Sequence, residues 1–286
     1  MTKIALLSDI HGNITALKAV INDLKKENIE ESWYLGDLLM PGPGTNELFD
    51  LLDSANTTIL LRGNWDDFIF DDVSKLTKRD LDDPVTPYIL MLMKYTLENT
   101  SKTNLRRLKD APISTSAVVN GSRILLTHNL IHKNYGHELL PYQEQAHFDD
   151  LFANKDYDLS IYGHTHHQIM RTSSKDQLII NPGSIGQPYT ERLRFRTDRR
   201  AQYAIIDIDE YGYSSIEFKK VSYDIRHELH LARQMKLPYY ELYEKLFTEG
   251  IAYTHNQPAL KKYMDMYGYR DIAMKFYDEL KNGKSI

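Results

Sequence analysis

Three short apolar runs, each ending in an oxygen-bearing side chain, constrain this chain most: "KIALLSD" (3–9), "ESWYLGD" (31–37) and "TTILLRGN" (57–64). Between the first two lies "ITALKAVINDLKKENI" (14–29), with Ile14, Leu17, Val20, Ile21 and Leu24 at helical spacing. Between the second and third, "TNELFDLLDS" (45–54) also reads as a helix. This βαβαβ alternation implies right-handed crossovers and a sheet that is at least partly parallel. Ligands of such sheets gather beyond the carboxyl ends of the strands. Asp9, Asp37 and Asn64 stand at those ends.

The pattern then changes. Residues 66–110 read as helical and charged, with a proline-bounded turn at "DDPVTP" (82–87) ahead of an apolar helix containing "YILMLMKYTL". From residue 114 strands return as hairpins. "AVVNGSRILLTHN" carries Asn-Gly at 120–121, a strong hairpin signal. "QIMRTSSKDQLIINPGS" and "AQYAIIDIDEYGYSSIEFKKV" repeat the strand–turn–strand form. Residues 226–286 revert to helix, with breaks expected at "KLPYY" and "HNQPAL". A mixed α/β core with a helical insertion and a helical tail is expected.

Composition removes several chemistries. There is no cysteine, which excludes disulfides, thiolate metal sites and a cysteine nucleophile. A formal net charge of −5 argues against a nucleic-acid scaffold but leaves small anionic substrates open. No run approaches the ~20 apolar residues that span a bilayer, so no membrane association is expected. The opening "MTKIALLSDIHGN" places Asp and His where a signal peptide would continue its apolar stretch, so a cytoplasmic protein is expected.

Five motifs follow one another, each at or just after an expected strand: "SDIHGN" (8–13), "GDLLMPGPG" (36–44), "RGNWDD" (62–67), "LLTHN" (125–129) and "GHTHHQ" (163–168). They supply two carboxylates (Asp9, Asp37), one amide oxygen (Asn64) and four imidazoles (His11, His128, His164, His166). This oxygen and nitrogen set suits Mn, Fe or Zn better than Mg or Ca alone. Seven ligands exceed one tetrahedral site with an open position, but suit two ions sharing a carboxylate.

The order and wording of these motifs, with "INPGSIGQP" beyond them, resemble the calcineurin-like metallophosphoesterases over roughly residues 3–225. The likeness is greatest to the small bacterial branch of phosphodiesterases and diadenosine tetraphosphate hydrolases. The resemblance implies an α/β four-layer αββα sandwich, with residues 1–225 as the catalytic domain, a helical insertion at about 66–110, and a helical C-terminal extension over 226–286. It implies one metal on Asp9, His11, Asp37 and His166, and a second on Asp37, Asn64, His128 and His164, with Asp37 bridging. Asn64 and His128 would also position the substrate phosphate. The implied activity is binuclear-metal hydrolysis of phosphodiesters or phosphoanhydrides, on a small phosphorylated substrate, expected to be a nucleotide such as a dinucleoside polyphosphate. A phosphomonoesterase or nuclease on the same metals is the alternative enzyme. A non-catalytic scaffold is the alternative of another class, against which the intact ligand set argues.

Other features have two readings each. Asn13 contacts substrate phosphate or caps the helix that starts at Ile14. The run "ERLRFRTDRR" (191–200) is a solvated edge, or an anion clamp through residues such as Arg200. "GPGTNE" (42–47) reads as a turn rather than a phosphate loop. His132, His137, His147, His227, His230 and His255 read as surface or packing residues. The tail aromatics (Tyr239, Tyr240, Tyr243, Phe247, Tyr263, Tyr267) read as core or a homodimer contact rather than a base-stacking platform. In many members of the family a His follows the ligand Asn and helps protonate the leaving oxygen. Here Trp65 stands there, which favours leaving groups that need no acid.

Overall fold

The computed structural model describes residues 1–282 except 30, 72, 154, 155 and 191. The end of the expected extension and the first residue of the arginine-rich run therefore lie outside the described residues. The chain begins β1 (Thr2–Leu7), α1 (Ile14–Lys26), β2 (Glu31–Tyr34), α2 (Asn46–Ser54), β3 (Thr57–Leu60). β1 pairs parallel with β2, and β2 with β3. The strands stop short of the apolar runs that announced them. Leu35–Asp37 and Leu61–Gly63 are already loop.

A one-turn helix, α3 (Asn64–Asp67), follows, then α4 (Val85–Asn99) and α5 (Lys102–Asp110). The helical character expected ahead of the proline-bounded turn is absent between α3 and α4, where the helical segments among the described residues are short 3-10 turns at Val73–Lys75 and Asp80–Asp82. α4 starts inside the expected turn. Pro84 is its N-cap and Pro87 falls in its first turn, where a missing N–H costs no helical bond.

The second half comprises β4 (Ser114–Val119), β5 (Ser122–Thr127), α6 (Gln145–Asp149), β6 (Leu159–Tyr162), β7 (Gln168–Thr172), β8 (Leu178–Pro182), β9 (Ala201–Asp209) and β10 (Gly212–Val221). All three expected hairpins form, β4–β5, β7–β8 and β9–β10. Two five-stranded mixed sheets result, ordered β10-β9-β1-β2-β3 and β4-β5-β6-β8-β7. Alternation along β1 shows how they stack. Ile4 and Leu6 join Trp33, Ile124, Ile161 and Ile206 between the sheets. Ala5 and Leu7 join Leu17, Val20 and Ile21 of α1 on the outer face. Both faces of β1 are buried, which is why its sequence runs apolar rather than alternating. Leu125, Tyr162 and Ile179 pack outward against Phe148 of α6 and Leu151. The fold is the expected α/β four-layer sandwich.

The chain closes with α7 (Ile225–Gln234), α8 (Tyr240–Thr248), α9 (Gln257–Tyr267) and α10 (Tyr269–Lys281). These helices share one core with α1 and α4: Tyr239, Tyr243, Phe247, Tyr263, Phe276 and Tyr277 are all buried in it. Each such ring contributes roughly 1.5–3 kcal/mol relative to exposure. Glu228 of α7, fully buried, accepts from the Thr15 N–H in the first turn of α1 at 2.9 Å and from Tyr243 Oη–H at 2.9 Å. A carboxylate at that helix N-terminus satisfies an otherwise orphaned donor. Among the described residues no helix is long and apolar enough to cross a membrane.

Candidate metal centre

The loops beyond β1 and β2 are stitched together by backbone bonds: Asp9 N–H to Gly36 O (3.0 Å), His11 N–H to Asp37 O (2.9 Å) and Gly12 N–H to Leu38 O (2.9 Å). The segment after β8 holds the first loop from the other side, through Ser184 Oγ–H and Gly186 N–H to Asp9 O. Asp9, His11, Asp37, His164 and His166 all have positive φ, between 49° and 63°. Left-handed backbone is costly for residues with a Cβ, by ~1 kcal/mol or more each, and such strain gathers where geometry serves function. Asp66 organises the second loop. Its fully buried carboxylate accepts from the backbone N–H of Asp37, Leu38, Leu39 and Gly63 at 2.9–3.2 Å. Gly63 is required by close approach, because a Cβ there would lie 2.1 Å from Asp37 Oδ1.

All seven expected ligands converge. Asp9, His11, Asp37 and His166 bring one donor atom each within 4.8 Å of one another, and Asp37, His128 and His164 do the same. Asn64 Oδ1 lies 3.2 Å from His128 Nε2. Asp37 belongs to both groups: its Oδ2 is 3.5 Å from His11 Nε2 and 3.5 Å from His128 Nε2. Every imidazole also has its other nitrogen on a backbone carbonyl. His11 Nδ1 meets Met40 O (2.8 Å), His128 Nδ1 Leu35 O (2.7 Å), His166 Nδ1 Gln187 O (2.7 Å) and His164 Nε2 Gly136 O (2.8 Å). Those contacts fix the tautomers, turning lone pairs of His11, His128 and His166 Nε2 and of His164 Nδ1 inward.

This donor set fits a cation. His11 Nε2 and His166 Nε2 face each other at 3.0 Å, an arrangement of two lone pairs that only a proton or a metal ion can relieve. Asp9 Oδ1 is buried without a hydrogen-bond partner, 3.3 Å from His166 Nε2. An orphaned buried carboxylate oxygen is expensive unless a cation meets it. Burial lowers His11, and it lowers His164 to about 4 with help from His128. Burial also acts on His128, but the Asp37 and Asp9 charges outweigh it and lift that imidazole to about 9. His166 is raised in the same way, chiefly by Asp9. The neighbouring imidazoles overcome burial at Asp9 and Asp37 and hold both carboxyls below the usual range. Burial, then the Asp37 charge, pushes Asp66 up to about 7 against the pull of its backbone donors.

A cavity of about 540 Å³ opens over these residues. Asp37, Asn64, Trp65, His164, His166 and Tyr189 line it from the core, and Leu246 of α8 with Gly250, Ala252, Thr254, His255 and Asn256 of the α8–α9 connection line it from the C-terminal extension. His137 and His255, expected to be ordinary surface or packing residues, line this cleft. Trp65 stands edge-on to His11 (centroids 5.8 Å) and Phe68 (5.7 Å).

The two expected substrate contacts lie elsewhere. Asn13 is fully buried and caps α1, accepting from Ala16 N–H at 2.9 Å while its amide donates to Tyr223 Oη at 3.2 Å. Arg200 is exposed and forked onto Asp198, at 2.8 Å through both Nε and Nη2. Its neighbour Arg199 lines the cleft instead. Sequence reasoning gave Asp66 no structural role, missed Gln187 and did not single out Arg199. Only the aspartate carried a signal, as an acid three residues after Gly63, the N3 position of a capping box. The "GPGTNE" loop is a turn, tied to the first motif by Gly42 N–H to His11 O and Gly44 N–H to Gly12 O.

Comparison with known proteins agrees with this fold. An uncharacterised protein of Methanocaldococcus jannaschii, MJ0912, is 29% identical over 259 residues, covering 85% of this chain and 97% of that protein. The crystal structure of hypothetical protein PH1004 from Pyrococcus horikoshii superimposes with a TM-score of 0.67 at 24% identity, covering 86% of this chain and 98% of that one. A metallophosphoesterase from Sphaerobacter thermophilus superimposes with a TM-score of 0.63 at 23% identity, covering 88% and 99%. The model of the calcineurin-like phosphoesterase superfamily domain matches residues 2–211, and the chain belongs to that superfamily.

Proposed function

We propose that this protein is a binuclear-metal phosphoesterase that cleaves phosphodiester or phosphoanhydride bonds, with dinucleoside polyphosphates such as diadenosine tetraphosphate and activated diesters as its substrates. The observation that carries the reading is the shared carboxylate, Asp37 Oδ2 at 3.5 Å from one imidazole of each ligand group. On this reading Asp9, His11, Asp37 and His166 hold one ion, and Asp37, Asn64, His128 and His164 the other. Mn or Fe suits the donors best, and Zn also fits. When bound, two such ions supply an activated water and neutralise charge on the phosphoryl oxygens. The catalytic domain of residues 1–225 and the extension of 226–286 would then build one substrate cleft between them, since residues from both line it.

Trp65 narrows the substrate class. Its indole lines the cleft directly after Asn64, where it cannot give up a proton at any relevant pH. An alkoxide leaves badly unprotonated, its parent resembling water with a pKa of ~15.7. A phosphate-type leaving group with a pKa of ~6 needs little help. Anhydrides and aryl diesters therefore suit this cleft better than alkyl monoesters. A hydrolysis screen of monoesters, diesters and anhydrides with Mn, Fe, Zn and Mg added separately tests the reading. Metal-dependent turnover of diesters and anhydrides is expected. A folded, metal-loaded protein that hydrolyses none of them would be a scaffold, and preference for alkyl monoesters would overturn the substrate class.

A further inference from the structure

Arg199 is 7% exposed, yet it lines the same cleft as the ligand groups. Its Nη1 donates to Pro188 O at 2.9 Å, and its buried Nε has no partner. Among the described residues no carboxylate forms an ion pair with it; the adjacent Asp198 is taken by Arg200 (2.8 Å) and Lys220 (3.2 Å). Gln187, also in the cleft wall, has a buried amide Nε2 without a partner. Two unmet donors, one of them cationic, thus belong to residues of one cleft wall, Gln187 being next in sequence to the Pro188 whose carbonyl holds Arg199. The extension accommodates them: Gly250 has φ +71°, and a Cβ there would lie 2.0 Å from Arg199 Nη2. Burial, with the Arg196 charge added, draws the guanidinium below its usual range against the opposing pull of Tyr223 and Asp198.

A buried guanidinium without a counter-ion costs stability, so its persistence in a cleft calls for an acceptor that arrives from outside. The unmet groups of Arg199 and Gln187 are both donors, which selects an anion. Phosphoryl oxygens match the arginine fork. The cavity of about 540 Å³ is larger than one phosphoryl group needs.

We propose that Arg199 and Gln187 form a second anion subsite beside the metal ligands, which takes a further phosphoryl group of a polyphosphate substrate and so selects polyphosphates over simple diesters. The substrate assignment rests on the phosphoesterase reading above; the anion subsite itself does not require it.

Two measurements on the full chain test this. With Mn present, Arg199→Gln should raise KM for diadenosine tetraphosphate about tenfold or more, and leave KM for bis(p-nitrophenyl) phosphate within about twofold. Gly250→Ala, which displaces the guanidinium, should reproduce that split. A parallel rise for both substrates, or no rise for either, would overturn the subsite. The second measurement needs no turnover. With metal removed by chelation, added inorganic phosphate should raise the thermal unfolding midpoint of the wild type and of Asp37→Ala, but not of Arg199→Gln. An equal shift in Arg199→Gln, or none in the wild type, would overturn the proposal even if the enzyme reading stands. Loss of all hydrolysis with the phosphate shift intact would remove the enzyme reading and keep the subsite.

Discussion

Replacing Asp66 by asparagine keeps the shape of the side chain and removes half of its acceptors. Oδ2 now accepts from Asp37 N–H (2.9 Å) and Gly63 N–H (3.0 Å), and Oδ1 from Leu38 N–H (3.0 Å) and Leu39 N–H (3.2 Å). Whichever way the amide turns, its NH2 faces two backbone donors. Two buried donors without acceptors cost roughly 1–3 kcal/mol each, or about 2–6 kcal/mol together. Relief of repulsion between Asp66 and Asp37 offsets part of this, so a loss near the lower end, about 2 kcal/mol, is expected. That is a large share of a typical folding stability of about 5–15 kcal/mol. Urea unfolding with linear extrapolation reads the loss directly, provided the slope is unchanged. The same loop presents Asp37, so bound metal per chain should fall as well. An Asp66→Asn protein within about 0.5 kcal/mol of wild type, with full metal content, would refute the claim that this carboxylate organises the loop.

Glu228→Gln tests the join between the extension and the core. Burial raises the folded pKa of Glu228 above its unfolded value. Its contribution is therefore fully present below the unfolded carboxylate pKa of ~4.3 and is lost as pH rises through the folded value. Glutamine can still accept from Thr15 N–H and meet Tyr243, so the variant should gain stability relative to wild type as pH rises across that window; parallel stability curves would contradict this. Trp65→His should recover part of a general-acid factor, typically ~10²–10⁴, for alkyl esters while changing anhydrides little. A wild-type plot of log kcat/KM against leaving-group pKa that is flat would show another donor at work. His164→Ala and His166→Ala should each weaken mainly one ion, and equal loss of both ions in each variant would contradict the division of ligands.

Much of the site could be read in the sequence because its ligands sit at strand ends, where a βαβ rhythm predicts function. Asp9, Asp37 and Asn64 were located by that rule alone. The substrate side was less legible for a physical reason. "RFRTDRR" offers several arginines with the same local chemistry, and only tertiary packing buries Arg199 while leaving Arg200 on Asp198. Asn13 could serve as cap or ligand, and the start of α1 at Ile14 placed it as a cap. The role of Asp66 has no local signature, since the four N–H groups it gathers come from two separate loops. The tail was recognisable as helical. Its position over the cleft depends on contacts with α1 and α4 that no local pattern encodes.

Asp37 is the carboxylate common to both ligand groups, and a binuclear centre depends on it. Elemental analysis of wild type and Asp37→Ala, each purified with Mn and shown to be folded, tests it most directly. The wild type should carry about two ions per chain, and Asp37→Ala should lose both together. An Asp37→Ala protein that still holds two tightly bound ions would contradict the shared carboxylate and, with it, the binuclear centre drawn here.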